Sequence, residues 1–461
     1  MPDAFEAPDA TEVPAAPAPA EDTSADGSAT GSRHVPQPGD AVPQEAVAAR
    51  RSVFVVFLCF GAVYANWVPR VPQIKHALGL SDSGLGVALL GAPVGTVCAV
   101  RLASWAVGRW GSRRVTRCGA VVLSAVLPLV AVAWNAVTLT TALLLLGAAL
   151  GLTDVAMNAQ GVAVERALRR PVMSGLHGAY SLGGLLGALL GSTAAHLDVA
   201  PLTHFTVIAV VSAATVWCGS RRLLPADEPS PASPGTPPTA AVAKANAKAR
   251  ADTKANAKAR PARWPLAVLL LGLIGLCSFT GEGAVEDWSA VYLRDGLHAA
   301  AGTAGLGFAG CSAAMTVVRL AGDRLVARFG PVAVLRTGAL VAASGLGAGL
   351  ALPSLIASTG AAQPAAIAGF TLFGAGVALV APVTFSAAGN LPGTPSASAI
   401  SRVTGIGYLG FLAGPPVIGF TAQAAGLRGA LAIPAALAAA IALLAATVRP
   451  RRGTSARAPE A

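Results

Sequence analysis

Apolar runs of eighteen or more residues, punctuated by Gly, Pro and Arg clusters, recur from residue 52 to residue 448. Each is long enough to cross a hydrocarbon core about 30 Å thick. The pattern predicts twelve helices, at 52–69, 83–107, 116–134, 137–165, 173–196, 202–220, 266–293, 303–321, 332–353, 364–389, 398–424 and 427–448. This is the pattern of an all-α membrane protein. A Pro-, Ala- and Lys-rich segment at 223–263, in which Lys244 to Arg250 recurs verbatim at Lys254 to Arg260, divides the helices into a first bundle at 50–222 and a second at 264–449. The segment cannot bury enough apolar surface to fold by itself and reads as a tether. Residues 1–49, rich in Ala, Pro, Asp and Glu, and residues 450–461 read as tails, with no signal peptide ahead of the first helix.

One stretch breaks the apolar pattern from within. Gly151 to Arg170 reads GLTDVAMNAQGVAVERALRR. At helical spacing, Asp154, Asn158, Gly161 and Glu165 share one face. With Glu165 and the arginines after it at the membrane interface, Asp154 lies roughly 16 Å deeper, near the midplane.

Composition strengthens this picture: 54% of residues are hydrophobic and 12% charged, far from the roughly quarter charged of soluble domains. The net charge of +11 sits at segment ends and in the central linker instead of forming a folded basic face, so no nucleic-acid partner is expected. The six cysteines are scattered singly and read as free thiols.

Arginine placement gives the topology. Loops after helices 2, 4, 8 and 10 are rich in arginine, while those on the other side carry only Arg70, Lys75, Arg294 and Arg428. Both termini and the linker are therefore expected in the cytoplasm of a multi-pass cell-membrane protein. The halves also repeat each other. Gly84-Leu85-Gly86 recurs as Gly305-Leu306-Gly307, and Trp67 recurs as Trp288 at the same interval. An even number of helices between copies keeps the repeat parallel. Two parallel six-helix halves are the organisation of a rocking transporter with its site between them at the midplane.

With those residues in view, the chain resembles the major facilitator superfamily over nearly all of 52–448. The family's helix 2–3 loop signature is matched by Arg109, Gly111, Arg113 and Arg114, although Ser104 stands at its first glycine and Gly108 at its acidic position. A second copy after helix 8 carries Asp323, Arg324, Arg328 and Gly330. The resemblance implies gating contacts for these loop residues. Within the superfamily, Asp154 with Asn158, Pro72-Gln73 and Leu80-Ser81 look like the fucose-permease branch of sugar and proton symporters. The helix-1 carboxylate of that branch is missing from Asn66-Trp67-Val68.

The polar residues supply the candidate site. Asp154 is expected to accept a hydrogen bond from a polyol-like solute, to carry a proton, or both; an acid that far into a membrane is costly unless it faces a cavity or partners. Asn158 can read the solute or satisfy Asp154. Glu282 in helix 7, flanked by Gly281 and Gly283 that permit a break, is expected to face Asp154 across the halves. Glu286 and Asp287 are expected nearer the outer mouth, solvated or paired with Arg70 or Arg294. His177 with Tyr180 can relay protons or serve structurally. Asn66, Trp67 and Trp288 can stack on a sugar face, or the tryptophans can anchor at the interface. Glu165 is expected at the inner gate, paired with arginines. Gly183, Gly187 and Gly191, and the Gly410 to Gly419 cluster with Pro415 and Pro416, are expected to serve helix packing. Arg101 and Arg319 are expected to snorkel to the cytoplasmic interface or to pair with Glu165.

The expectation is a monomeric secondary-active transporter of a small polar, sugar- or polyol-like solute, without a bound cofactor and with a proton gradient as the candidate driving force. A proton-driven exporter of drugs or metabolites, favoured by an aromatic-lined cavity, and a non-transporting membrane sensor with the linker as its output are the competing readings. No metal-ligand spacing, P-loop or nucleophile with a nearby base points to an enzyme.

Overall fold

The structure, a computed structural model, describes residues 44–170, 172–225, 265–355, 359–391 and 396–449. The expected tails and nearly all of the linker, including both copies of its Lys-rich repeat, lie outside the described residues. Among those described, long helices run at Gln44–Ala77 (α1, tightened to a 3-10 turn at Val68–Arg70), Asp82–Trp110 (α2), Ser112–Ala131 (α3), Ala136–Leu168 (α4), Met173–His196 (α5) and Pro201–Arg222 (α6). The second half supplies Leu266–Gly296 (α7), Ala301–Phe329 (α8), Pro331–Leu355 (α9) and Ala361–Gly389 (α10). A final run, Ser398–Val448, is broken at Gly426, whose φ of 77° no helix accommodates, into α11 (398–425) and α12 (427–448). With α5 and the division at Gly426, the described residues form twelve helices long enough to cross a membrane. Several begin earlier than the apolar pattern alone indicates, α1 by eight residues at Gln44, α3 by four at Ser112 and α10 by three at Ala361.

Local chemistry sets the ends. Ser81 opens α2 by accepting from the Gly84 amide at 3.1 Å. Asn135 and Thr138 form a reciprocal capping box at the start of α4. Gly111 closes α2 at φ 80°, ψ 149°, and Gly330 closes α8 at φ 78°, ψ 157°. The internal repeat thus extends to the same left-handed helix stop in each half, a backbone state that disfavours any side chain. At 33 residues, α4 spans about 50 Å, longer than a bilayer core, so it tilts or projects.

Glycine lets the helices approach backbone to backbone, as small residues do where lipid offers no hydrophobic drive. A Cβ at Gly183 would strike the carbonyl of Leu58 in α1, and one at Gly187 that of Ala62. The expected packing role of this glycine row in α5 is what the contacts show. Between the halves, Gly86 of α2 lies against the Pro415 carbonyl and Gly419 of α11. Many helix hydroxyls donate to a carbonyl of their own helix or of a neighbour. Thr96 Oγ1, for instance, donates to Ala92 O and to Gly147 O of α4, both at 3.0 Å.

Candidate functional site

The two halves enclose a cavity of about 1850 Å³. Its lining runs from Trp67, Leu89 and Asp287 at one end to Met173, Pro331 and Arg449 at the end that bears the arginine-rich loops. The opposite end is closed by contacts across the halves. Lys75 Nζ lies 2.5 Å from Asp82 Oδ1 and 2.7 Å from Asp295 Oδ2, and His76 Nε2 lies 2.9 Å from Asp295 Oδ1. Beside that cluster, Gly305 of α8 abuts Ser192 and Pro69. Among the described residues, the ion pairs across the halves lie at the Lys75 end, and the cavity lining reaches Pro331 and Arg449 at the arginine-rich end.

Asp154 of α4 and Glu282 of α7 line this same cavity from opposite halves, the juxtaposition expected from their depths. Asp154 Oδ1 accepts from Asn158 Nδ2 at 2.9 Å, and the same amide donates to the Asp154 carbonyl at 2.9 Å. Asn158 is not among the lining residues. Of its two expected uses, the structure gives it the support of Asp154. The polar stripe of α4 is divided in the same way: below Asp154 its face turns onto α5, where Gly161 packs on Met173 and Leu176.

Glu282 Oε1 accepts from Ser278 Oγ at 2.7 Å, and its Oε2 lies 3.7 Å from Arg319 Nη2. The helix is unbroken here. Gly281 faces the Phe373 ring, so its missing side chain serves packing and not the expected interruption. Arg319 departs from expectation as well: it turns inward, lines the cavity, and donates to Ser181 Oγ at 3.3 Å and Ala378 O at 3.2 Å. One guanidinium therefore joins α8 to α5, α7 and α10. Arg101 is exposed.

Glu286 and Asp287 also line the cavity, Asp287 at 8% exposure. Neither meets the arginines expected for it. Arg70 is fully buried and donates to Gln73 Oε1 at 2.6 Å, Val199 O at 2.9 Å and His204 Nδ1 at 3.4 Å. Arg294 donates to Ala299 O at 2.7 Å. Asn66 belongs to the Arg70 group: its Oδ1 lies 2.9 Å from His204 Nε2 and its Nδ2 donates to Ala62 O at 2.7 Å, so it braces α1 against α6 and does not face the cavity. Trp67 lines the closed end, whereas Trp288 is 0% exposed and does not line the cavity. Both rings are buried, Trp67 at 1% exposure, so neither stands out from the helices as an interfacial anchor.

His177, Tyr180 and Ser181 of α5 all line the cavity. Tyr180 lies tilted against Phe60 at 5.8 Å between centroids and within electrostatic reach of Asp154, Glu282, Glu286 and Arg319. In the lining contributed by the second half, Phe279 stacks on Phe411 at 5.0 Å and on Tyr408 at 5.9 Å, with Phe385 at 6.4 Å. Of this wall the sequence pattern offers only Tyr408 of helix 11, with Thr404, as a cavity candidate, because an aromatic residue in an apolar helix offers no contrast; Tyr408 lines the cavity and Thr404 does not. An aromatic at helical spacing beside a carboxylate one helix away is the signal that only a tertiary arrangement exposes.

The expected gating residues divide. Glu165 Oε2 accepts from the Val172 and Met173 amides at 2.9 and 3.2 Å, so it caps α5 instead of pairing with arginine. A carboxylate suits that position because the first amides of a helix lack backbone partners. Arg113 Nη2 donates to Arg221 O at 2.8 Å, which ties the α2–α3 loop to α6. Arg109 and Arg114 are exposed, as are Arg324 and Arg328, the latter over the Phe329 ring; Asp323 is exposed at the cavity mouth.

Comparison with known proteins agrees with this architecture. The sequence profile described as Major Facilitator Superfamily matches residues 53–390. An uncharacterized MFS-type transporter of Yersinia pestis is 35% identical over 405 residues, covering 88% of this chain and 97% of the relative. Among solved structures, a nucleoside transporter, NupG, superposes with a TM-score of 0.66 at 10% identity over 87% of this chain and 99% of that one. A D-xylose–proton symporter does so with 0.66 at 14% identity, over 87% and 97%. At such identities the superpositions establish the fold.

Proposed function

This chain belongs to the major facilitator superfamily and is a membrane transporter; from that premise we propose that it moves a small polar solute with an apolar face, of sugar or polyol size, across the cell membrane by alternating access. The observation that carries the reading is that Asp154 and Glu282, one from each half, line a single cavity together with Tyr180 and the Phe279 stack. Carboxylates accept hydrogen bonds from hydroxyl groups, and aromatic faces cover the C–H side of such a molecule. A nucleoside transporter and a xylose symporter of the same fold move solutes of this kind. The arginine-rich end is the cytoplasmic one in this reading, so the conformation is inward-open, and Asp154 couples transport to protons.

The test is solute flux in vesicles, with and without a pH gradient, for the wild type and Asp154→Asn at matched membrane abundance. D-xylose, a nucleoside and a panel of polyols serve as probes. Loss of gradient-driven flux in the variant is the expected result, and unchanged coupled flux overturns the reading. One observation favours a second reading, export of amphipathic metabolites or drugs. The stack of Phe279, Phe411 and Tyr408 offers more apolar surface than a sugar requires. Efflux of a dye-like cation from the same vesicles separates the two. A sensor without transport predicts no flux in either direction.

A further inference from the structure

The charge in the cavity does not balance. Asp154, Glu282, Glu286 and Asp287 line its deep part, and Arg319 is the guanidinium that meets them there. Arg319 is engaged by Glu282, and Asp154 has the Asn158 amide as its hydrogen-bond donor. Among the described residues, Glu286 and Asp287 have no hydrogen-bond or ion-pair partner. Asp287 is more than nine-tenths buried at 8% exposure and opens into the cavity. A buried carboxylate without a donor is costly, and that cost falls when a cation or a proton arrives. The adjacent surface is aromatic. Tyr64, on α1, also lines the cavity and lies within electrostatic reach of Glu286 and Asp287, and the Phe279 and Phe411 rings line the wall of the second half. Ring faces attract cations as well as apolar surface.

We propose that the solute carries a protonated amine, held by Glu286 and Asp287 while its remaining polar groups meet Asp154 and Glu282. This rests on the transporter reading above and narrows its substrate class. A neutral polyol can hydrogen-bond to these carboxyl groups but brings no charge of its own to offset an ionised one. A solute with an ammonium group offsets one unit of negative charge and supplies three donors. Arg319 fits the same logic, since it screens Glu282 and leaves the Glu286–Asp287 end for the ligand.

The experiment uses the purified full-length chain in detergent and two matched pairs of probes at neutral pH, glucosamine against glucose and benzylamine against benzyl alcohol. Affinity is read from thermal shift and checked by equilibrium binding. At least one amine is expected to bind about tenfold tighter than its neutral twin. The Glu286→Gln, Asp287→Asn double variant is expected to bring that ratio near unity, and Asp287→Glu to keep it. The proposal is overturned by neutral twins that bind as well as the amines, by a preference that survives the double variant, or by amines that do not bind. Where the double variant does not fold, the loss of preference in Asp287→Asn alone is decisive. Neutral twins that bind equally and are transported would remove the amine and leave the polar-solute reading standing. Amine binding with flux indifferent to Asp154 would do the reverse.

Discussion

The Lys75 ammonium of the first half reaches the Asp295 carboxylate of the second at 2.7 Å, and the same nitrogen holds Asp82 at 2.5 Å. This one cation bonds the end of α1 to the start of α2 and to the end of α7, at the end of the cavity opposite its mouth. With its side chain only 9% exposed, the ammonium is largely out of water, so the contact is stronger than a surface pair.

Lys75→Met and Asp295→Asn are therefore expected to loosen the closed end. Breaking a fully buried pair costs roughly 3–5 kcal/mol, and this partly exposed one falls below that range. About 1.4 kcal/mol already changes a conformational ratio tenfold. A cysteine placed at Leu89, in a background with the native cysteines replaced, reports the change. Impermeant maleimide added on the Lys75 side is expected to label it faster in the variants, and unaltered labelling refutes the latch.

Arg319 and Glu282 make a second prediction. Arg319→Met leaves the Glu282 carboxylate without its charge partner, while Glu282→Gln, Arg319→Met removes both charges. The single variant is expected to lose more thermal stability than the double, because an orphaned buried charge is worse than none. A double-mutant cycle on melting temperature measures the coupling, and additive effects would show that the 3.7 Å contact carries no energy.

Asn158 separates a supporting residue from a contacting one. It touches Asp154 but does not line the cavity. A hydrogen bond to a charged group contributes about 1.5–3 kcal/mol, so Asn158→Leu is expected to cut flux by roughly ten- to a hundredfold. Relative selectivity among solutes should stay constant. A changed selectivity order in vesicle competition assays would mean that Asn158 meets the solute directly.

Asn66→Ala tests a structural role. Its bonds to His204 and Ala62 predict a lower melting temperature with solute affinity retained in the folded fraction. Weakened affinity at unchanged stability would return Asn66 to the binding site.

Gly183→Val is expected to prevent close approach of α5 to α1, since even a Cβ strikes the Leu58 carbonyl. Overpacking of this kind costs typically 1–3 kcal/mol, and more where backbone must move. Folded yield by size-exclusion chromatography checks it, with Gly175→Ala, where a Cβ meets nothing within 4 Å, as the control.

What the chain order alone determined follows from the bilayer. Apolar runs must be helical where no water satisfies the backbone, so length and punctuation give twelve crossings. Arginine placement and the Gly-Leu-Gly repeat give two parallel halves, and a lone acid eleven residues inside the interface gives Asp154. Tertiary structure decided the rest, because in an apolar helix the face toward a cavity and the face toward another helix have the same composition. It turned Arg319 inward, drew Glu286 and Asp287 away from Arg70 and Arg294, buried Trp288, and gave Glu165 to the start of α5. It also assembled Phe279, Phe411 and Tyr408 into one wall. A polar group in a membrane goes to whichever partner is within reach, and reach is a property of the packed helices that spacing along one of them does not contain.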